Sequence, residues 1–259
     1  STIGARFPNP KVEKQYGDDT MPQTADNVAA DLGISREEAD TYAARSQALY
    51  EKARAEGFFA EEIHPIEVSQ GRKKPAKVVD QDEHPRPSSD MAALSGLRPL
   101  FDGGVVTAGN ASGVNDGAAA LIIGSEAAGQ KYGVKPRAKI LAGAISGVAP
   151  RVMGLGPVEA CKKALSRAGL TLDDMDVIEI NEAFASQVLG CAKQLGIAFD
   201  DPRLNPNGGA IAVGHPLGAS GARLTLTALR QLERTGKRYA LVSLCIGLGQ
   251  GVAAVIERG

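Results

Sequence analysis

The feature that most limits what this chain can become is a regular alternation of strand-like and helix-like stretches in its second half. Lys139–Ile145 reads as a strand and a helix follows from Pro157 to about Ala168, with the proline in the favoured first-turn position. Asp176–Ile180 reads as a strand and Glu182–Leu195 as a helix; Ala210–Val213 reads as a short strand and Gly221–Arg234 as a long helix. Tyr239–Cys245 and Gly251–Ile256 complete the series as strands. Strands alternating with helices of this length predict an α/β fold, with a largely parallel sheet covered on both faces.

The first half reads differently. Ser35 and Glu38 form a capping box, and Ala39, Tyr42, Ala43, Ser46, Leu49, Tyr50 and Ala53 recur at helical spacing until Gly57. Glu62–Val68 reads as a short strand that Pro65 confines to an edge. Residues 69–90 are polar and rich in proline, and Arg72, Lys73 and Lys74 read either as a solvated loop or as a phosphate contact. Ser1–Thr20 show no strand or helix pattern, as if the chain began inside a loop. Ala120–Ser125 (ALIIGS) reads as a buried strand and Glu126–Tyr132 as a short helix. That strand has no earlier partner in the sequence, so it is expected to complete a sheet built from other residues.

Bulk properties exclude several classes. The formal net charge is −1, so no bulk electrostatic force favours nucleic acid or an anionic membrane. No apolar run reaches the ~18 residues of a membrane span, and the first 20 residues hold no apolar leader core. Three widely spaced cysteines, Cys161, Cys191 and Cys245, argue against a disulfide framework and for a reducing compartment, hence a cytoplasmic location. With only His64, His84 and His215 and no metal-ligand spacing, no metal site is expected. Asn110-Ala111-Ser112 matches a glycosylation pattern and is read as chance.

Three motifs carry chemistry. Asn181-Glu182-Ala183-Phe184-Ala185 falls at a strand end, where open α/β sheets bind ligands, yet Asn181 also reads as a helix cap. Asn205-Pro206-Asn207-Gly208-Gly209 precedes Gly214-His215-Pro216; glycines around His215 admit a second group, although a lone histidine is often structural. Ser243-Leu244-Cys245-Ile246-Gly247-Leu248-Gly249-Gln250-Gly251 puts a cysteine at a strand end beside a glycine turn, suited to acid–base or oxyanion work, though a buried free cysteine is commonly a small hydrophobe. The glycine string is followed by strand rather than helix, so a dinucleotide-binding oxidoreductase is disfavoured.

Together and in this order, with Thr107–Ala119 (TAGNASGVNDGAA) and Val152–Pro157, these motifs resemble the thiolase family over essentially the whole chain. The resemblance implies the thiolase fold, layered αβαβα and built from two similar halves. Residues 1–113 then match a loop domain covering coenzyme A, residues 114–134 the last strand and helix of the N-terminal half, and residues 135–259 the C-terminal domain. It implies reversible thiolytic cleavage of 3-oxoacyl-CoA, with coenzyme A or acyl-CoA as substrate, no covalently bound cofactor, and a homodimer or homotetramer. The acylated cysteine of the family matches a region before Ser1, so the N-terminal half is an implied partner and this chain alone is expected to be inactive.

By the same resemblance, His215 matches the base that activates that cysteine, and Cys245 the group that moves a proton at the α-carbon. Asn181, through a water, and His215 match one oxyanion hole; the amide of Gly247 matches half of another. Ser112 matches a pantetheine contact, Arg86 an adenine-nucleotide contact, and Phe184 and Met153 walls of the acyl pocket. Some thiolases carry a histidine just before the residue matching Met21, where this chain has Thr20. VAPRVMGLGP, DEHPRP and GFFAEEI look most like 3-oxoadipyl-CoA thiolases, with Arg151 a candidate for a distal carboxylate. A second reading is a thiolase-like protein that binds acyl-CoA without turnover; His215, Cys245 and Asn181 favour the enzyme, because a binder needs no proton-transfer set.

Overall fold

The computed structural model describes residues 9–72 and 74–259. Lys73 of the basic run lies outside the described residues. In chain order the helices of the first half are α1 (Pro10–Tyr16), α2 (Met21–Leu32), α3 (Arg36–Ala55), α4 (Met91–Ser95) and α5 (Glu126–Tyr132), with the short strands β1 (Ile66–Val68) and β2 (Lys77–Val79) between α3 and α4. The second half contains β3 (Ala138–Gly147), α6 (Gly156–Ala168), β4 (Val177–Ile180), α7 (Ala185–Leu195), α8 (Ala210–Val213), α9 (Ser220–Thr235), β5 (Tyr239–Ile246) and β6 (Gln250–Arg258). Among the described residues no helix is long and apolar enough to cross a membrane.

The main sheet has the order β3-β6-β5-β4. Its two faces follow from the period-two alternation of side chains along a strand. Ile178, Ile180, Leu241 and Val255 share a core with Val158, Cys161 and Leu165 of α6. Val177, Ala240, Val242 and Ile256 share another with Leu224, Ala228 and Leu232 of α9. The expected coverage of both faces therefore holds. The first core continues through Val188 and Leu189 of α7 into Val28, Tyr42 and Ala43 of α2 and α3, which seats the first half on the second.

Several local expectations are corrected. The sheet is mixed rather than largely parallel: only β4 and β5 run parallel, while β5–β6 and β6–β3 are antiparallel. The reason is the three-residue turn at 247–249, too short for a crossover and long enough for a hairpin. Ala210–Val213 is a helical turn, not a strand; the amides of Ala212 and Val213 both donate to Gly209 O, at 2.9 and 3.0 Å. Ala120–Ser125 forms no strand, and Ile122 is 101% exposed; a lone strand finds no ladder partner for its amides and carbonyls. Within Ser1–Thr20, where no helix was expected, α1 begins under an Asn9 cap with Pro10 in its first turn. The helix expected from Glu182 starts at Ala185, because the chain bends at Ala183 and Phe184 is extended, bridged to Ala111.

Candidate active site

One cleft of about 710 Å³ brings together Ser112, Met153, Phe184, His215, Cys245 and Gly247. It opens beyond the carboxy ends of the parallel pair β4 and β5. The ladder reaches one residue past β4, where the Asn181 amide donates to Ser243 O at 2.9 Å. Asn205 holds the other side of β4: its Oδ1 accepts from Ile180 N and its Nδ2 donates to Ile180 O, each at 2.9 Å. The segment carrying Ser112 is laid across the start of α7, with Ser112 N donating to Ala183 O at 3.0 Å and Ala185 N to Asn110 O at 2.9 Å. Asn110 is 1% exposed and donates to Asp40, so its side chain is committed to the core.

The protonation of His215 can be read from its partners. Ser220 Oγ lies 2.6 Å from Nδ1 and also donates to Pro216 O at 3.0 Å. A hydroxyl has one proton, so Ser220 must accept from Nδ1–H. Nε2 then carries the lone pair, which faces Asn181 Nδ2 at 3.2 Å. Burial, with the nearby Arg223 charge, lowers the His215 pKa to about 4. The ring is thus a neutral base at neutral pH, with the lone pair of Nε2 held by the Asn181 amide. Asn181 is fully buried, and its Oδ1 has no partner among the described residues.

Cys245 is partly exposed and packs with Ala183, Phe184, Met153 and Met21 in one apolar cluster. Burial pushes its thiol up to about 12, so at neutral pH it is a thiol rather than a thiolate. The turn after it has Leu248 at φ 67° and Gly249 at φ 89°. Gly249 also lies against Val148 O, where any side chain would collide. Cys161 and Cys191 are buried in α6 and α7, and burial raises both thiols, that of Cys161 to about 11. Neither lines the cleft.

Two expected contacts lie apart from these. Arg86 does not line the cleft; its Nη1 is held by the carbonyls of Glu83 and Pro85, each at 3.1 Å, and by that of His84 at 2.5 Å. Arg151 reaches the cleft rim but is paired there with Asp31, at 2.5 and 3.2 Å. Thr20 and Met21 both line the cleft, so the position that departs from the family pattern is a site position. Among the described residues no group of three His, Cys, Asp or Glu side chains is placed to hold a metal ion.

Glu182 is the residue that sequence reasoning passed over. Fully buried, its Oε1 accepts from Tyr42 Oη and Asn205 Nδ2, both at 3.0 Å. Its Oε2 accepts from Ser46 Oγ at 2.6 Å and Ile211 N at 3.1 Å. One carboxylate thereby ties α3, the loop around Asn205 and the turn leading to His215 to the end of β4. Four donors are what a buried carboxylate requires. The available signal was the placement of a glutamate directly after Asn181 in a motif otherwise made of small and apolar residues.

The family models match in two blocks: the model described as "Thiolase, N-terminal domain" over residues 7–127, and "Thiolase, C-terminal domain" over residues 134–258. Beta-ketoadipyl-CoA thiolase of Acinetobacter baylyi is 56% identical across all 259 residues, which cover 64% of that protein. The chain thus spans 64% of the length of the curated relative it matches. The Bacillus anthracis acetyl-CoA acetyltransferase superposes with a TM-score of 0.90 at 40% identity, over 99% of this chain and 66% of that one. Human mitochondrial 3-ketoacyl-CoA thiolase in complex with CoA gives 0.85 at 42% identity, over 93% and 60%.

Proposed function

This chain belongs to the thiolase family, and on that premise we propose that it carries the proton-transfer machinery of a thiolytic acyltransferase. The reaction is reversible cleavage of a 3-oxoacyl-CoA by coenzyme A. The acyl-accepting cysteine belongs to a segment outside these 259 residues, so the chain by itself is inactive. His215 Nε2 takes the proton of that cysteine, because it is the unprotonated nitrogen of the ring, held only by the Asn181 amide. As the carbon–carbon bond breaks, Cys245 gives its proton to the α-carbon of the departing acetyl-CoA; in condensation it takes that proton back. A thiol held near pKa 12 is poorly ionised yet well matched to a carbon acid.

The enolate oxygen is held by protonated His215 and a water on Asn181. The amide of Gly247 and one from the outside cysteine hold the oxyanion of the acyl-enzyme. Ser112 touches the pantetheine arm, Phe184 and Met153 wall the acyl pocket, and Arg86 lies against the nucleotide. Residues 1–113 act as the loop domain, 114–134 complete the N-terminal half and 135–259 form the C-terminal domain. The subunit works in the cytoplasm as a homodimer or homotetramer. The substrate class is 3-oxoadipyl-CoA, supported by the relatives' names and by Arg151 at the rim.

The observation that carries this reading is the 3.2 Å approach of the buried Asn181 Nδ2 to Nε2 of His215, which lines the same cleft as Cys245. Thiolysis of acetoacetyl-CoA by the complete subunit tests it. His215→Ala and Cys245→Ala should each lower kcat by at least about 10³-fold, given the usual reach of acid–base and nucleophilic assistance combined. A complete subunit that binds acetoacetyl-CoA with no turnover at all would favour the binding protein instead.

A further inference from the structure

The amide of His215 is shared by two acceptors from one short segment: Gly113 O at 3.0 Å and Asn115 Oδ1 at 3.2 Å. The other end of the same carboxamide, Asn115 Nδ2, lies 3.4 Å from His84 Nδ1. Asn115 therefore sits between the main chain of His215 and a histidine 31 positions upstream, in the segment that also holds Arg86. Three glycines make room for this stack. A side chain at Gly113 would strike His84, one at Gly214 would strike the Asn115 carboxamide, and one at Gly117 would strike Pro216. Gly214 also has φ +91°, which few other residues adopt.

A second route runs in parallel. Gln47 of α3 accepts from Arg86 N at 3.0 Å and donates to Ile211 O at 3.2 Å. The segment 84–86 is thus tied to the His215 loop at two points, one through Asn115 and one through Gln47.

We propose that Asn115 is a positioning residue for His215, and that His84 holds the Asn115 carboxamide in register, so that the segment bearing Arg86 and the catalytic base move as one unit. The inference rests on the thiolytic reading only for its kinetic arm. With Asn115 donating from Nδ2, the facing nitrogen of His84 is an acceptor and His84 is neutral. Fixing the main chain on both sides of an imidazole fixes where its lone pair points, and misdirected lone pairs cost rate rather than affinity.

The test compares Asn115→Ala, Asn115→Asp, His84→Ala and the double variant Asn115→Ala/His84→Ala in the complete subunit. Asn115→Ala should lower kcat about tenfold with little change in KM, since the interaction acts on geometry and not on substrate binding. Asn115→Asp keeps the acceptor for His215 N and should recover most of that loss. The double variant should be no slower than Asn115→Ala, because the two residues act in series. Equal loss in the Ala and Asp variants, or additive losses in the double variant, would overturn the proposal. Amide hydrogen exchange at His215 gives a reading independent of turnover: it should quicken in Asn115→Ala and stay slow in Asn115→Asp. If the unaltered subunit shows no thiolysis, the functional reading fails while the exchange rates still decide the role of Asn115; unchanged exchange in Asn115→Ala would refute it.

Discussion

Ser220 Oγ sits 2.6 Å from Nδ1 of His215 and donates its single proton to Pro216 O. This pairing leaves one tautomer for the imidazole and turns the lone pair of Nε2 toward the Asn181 amide, 3.2 Å away. Ser220→Ala removes the constraint while leaving the ring in place. We predict that nitrogen-15 NMR of the parent shows His215 neutral with Nδ1–H across pH 5–8, as a pKa near 4 requires. The variant should show mixed tautomers and a kcat lower by about tenfold to a hundredfold. A titration of His215 between pH 6 and 7 would count against the arrangement.

Glu182 collects donors from Tyr42, Ser46, Asn205 and Ile211 at 2.6–3.1 Å. Glu182→Ala would leave buried hydroxyl and amide groups without an acceptor. Stability should fall by about 3 kcal/mol, the range of a broken buried network. Urea unfolding of the complete subunit measures this; a loss within a few tenths of a kcal/mol would contradict the hub.

Much of this was legible beforehand, and the limit is physical. The cap at Ser35, the first-turn proline of α6 and the paired strands around Cys245 are written in neighbouring residues, so they could be read locally. The placement of the three motifs at element ends could be read the same way: Asn181 directly follows β4, and glycines flank His215 and follow Cys245. The role of Glu182 was not, because its partners Tyr42 and Ser46 lie 140 and 136 positions away. Ala120–Ser125 misled because apolar β-formers make a strand only when a neighbour supplies the ladder. The short stretch Ala210–Val213 misled because four apolar residues fit a helical turn as well as a strand, and only the Gly209 and Glu182 acceptors decide between them.

Glu179 is fully buried and neither of its oxygens has a partner among the described residues. Burial raises its pKa to about 8, with the Arg223 charge opposing and those of Glu182 and Glu62 adding to the rise. A carboxyl raised on folding favours the folded state most when protonated. Its contribution is whole below the unfolded value of about 4.5 and is lost as pH rises through about 8. Glu179→Gln should therefore leave stability at pH 4 nearly unchanged and raise it at pH 8 by about 4 kcal/mol. Denaturation at the two pH values checks this, and a variant less stable at pH 8 would show that the carboxylate is needed as a charge.

Arg151 stands at the rim, paired with Asp31. Both are well exposed, so the pair is screened and costs little to rearrange. Arg151→Ala should raise KM about tenfold for 3-oxoadipyl-CoA and leave acetoacetyl-CoA within about twofold, the worth of one charge-assisted contact. Steady-state kinetics on the two substrates decide it; equal changes would remove Arg151 from recognition of the distal carboxylate.

We infer that these residues supply the base and the proton carrier, while the acylated cysteine comes from outside them. Intact mass under denaturing conditions, after brief incubation with acetyl-CoA, tests it most directly. The complete subunit should gain the mass of one acetyl group, and the 259-residue chain alone should gain none. Stoichiometric acetylation of the 259-residue chain, at Cys161, Cys191 or Cys245, would place the acylated cysteine within these residues instead.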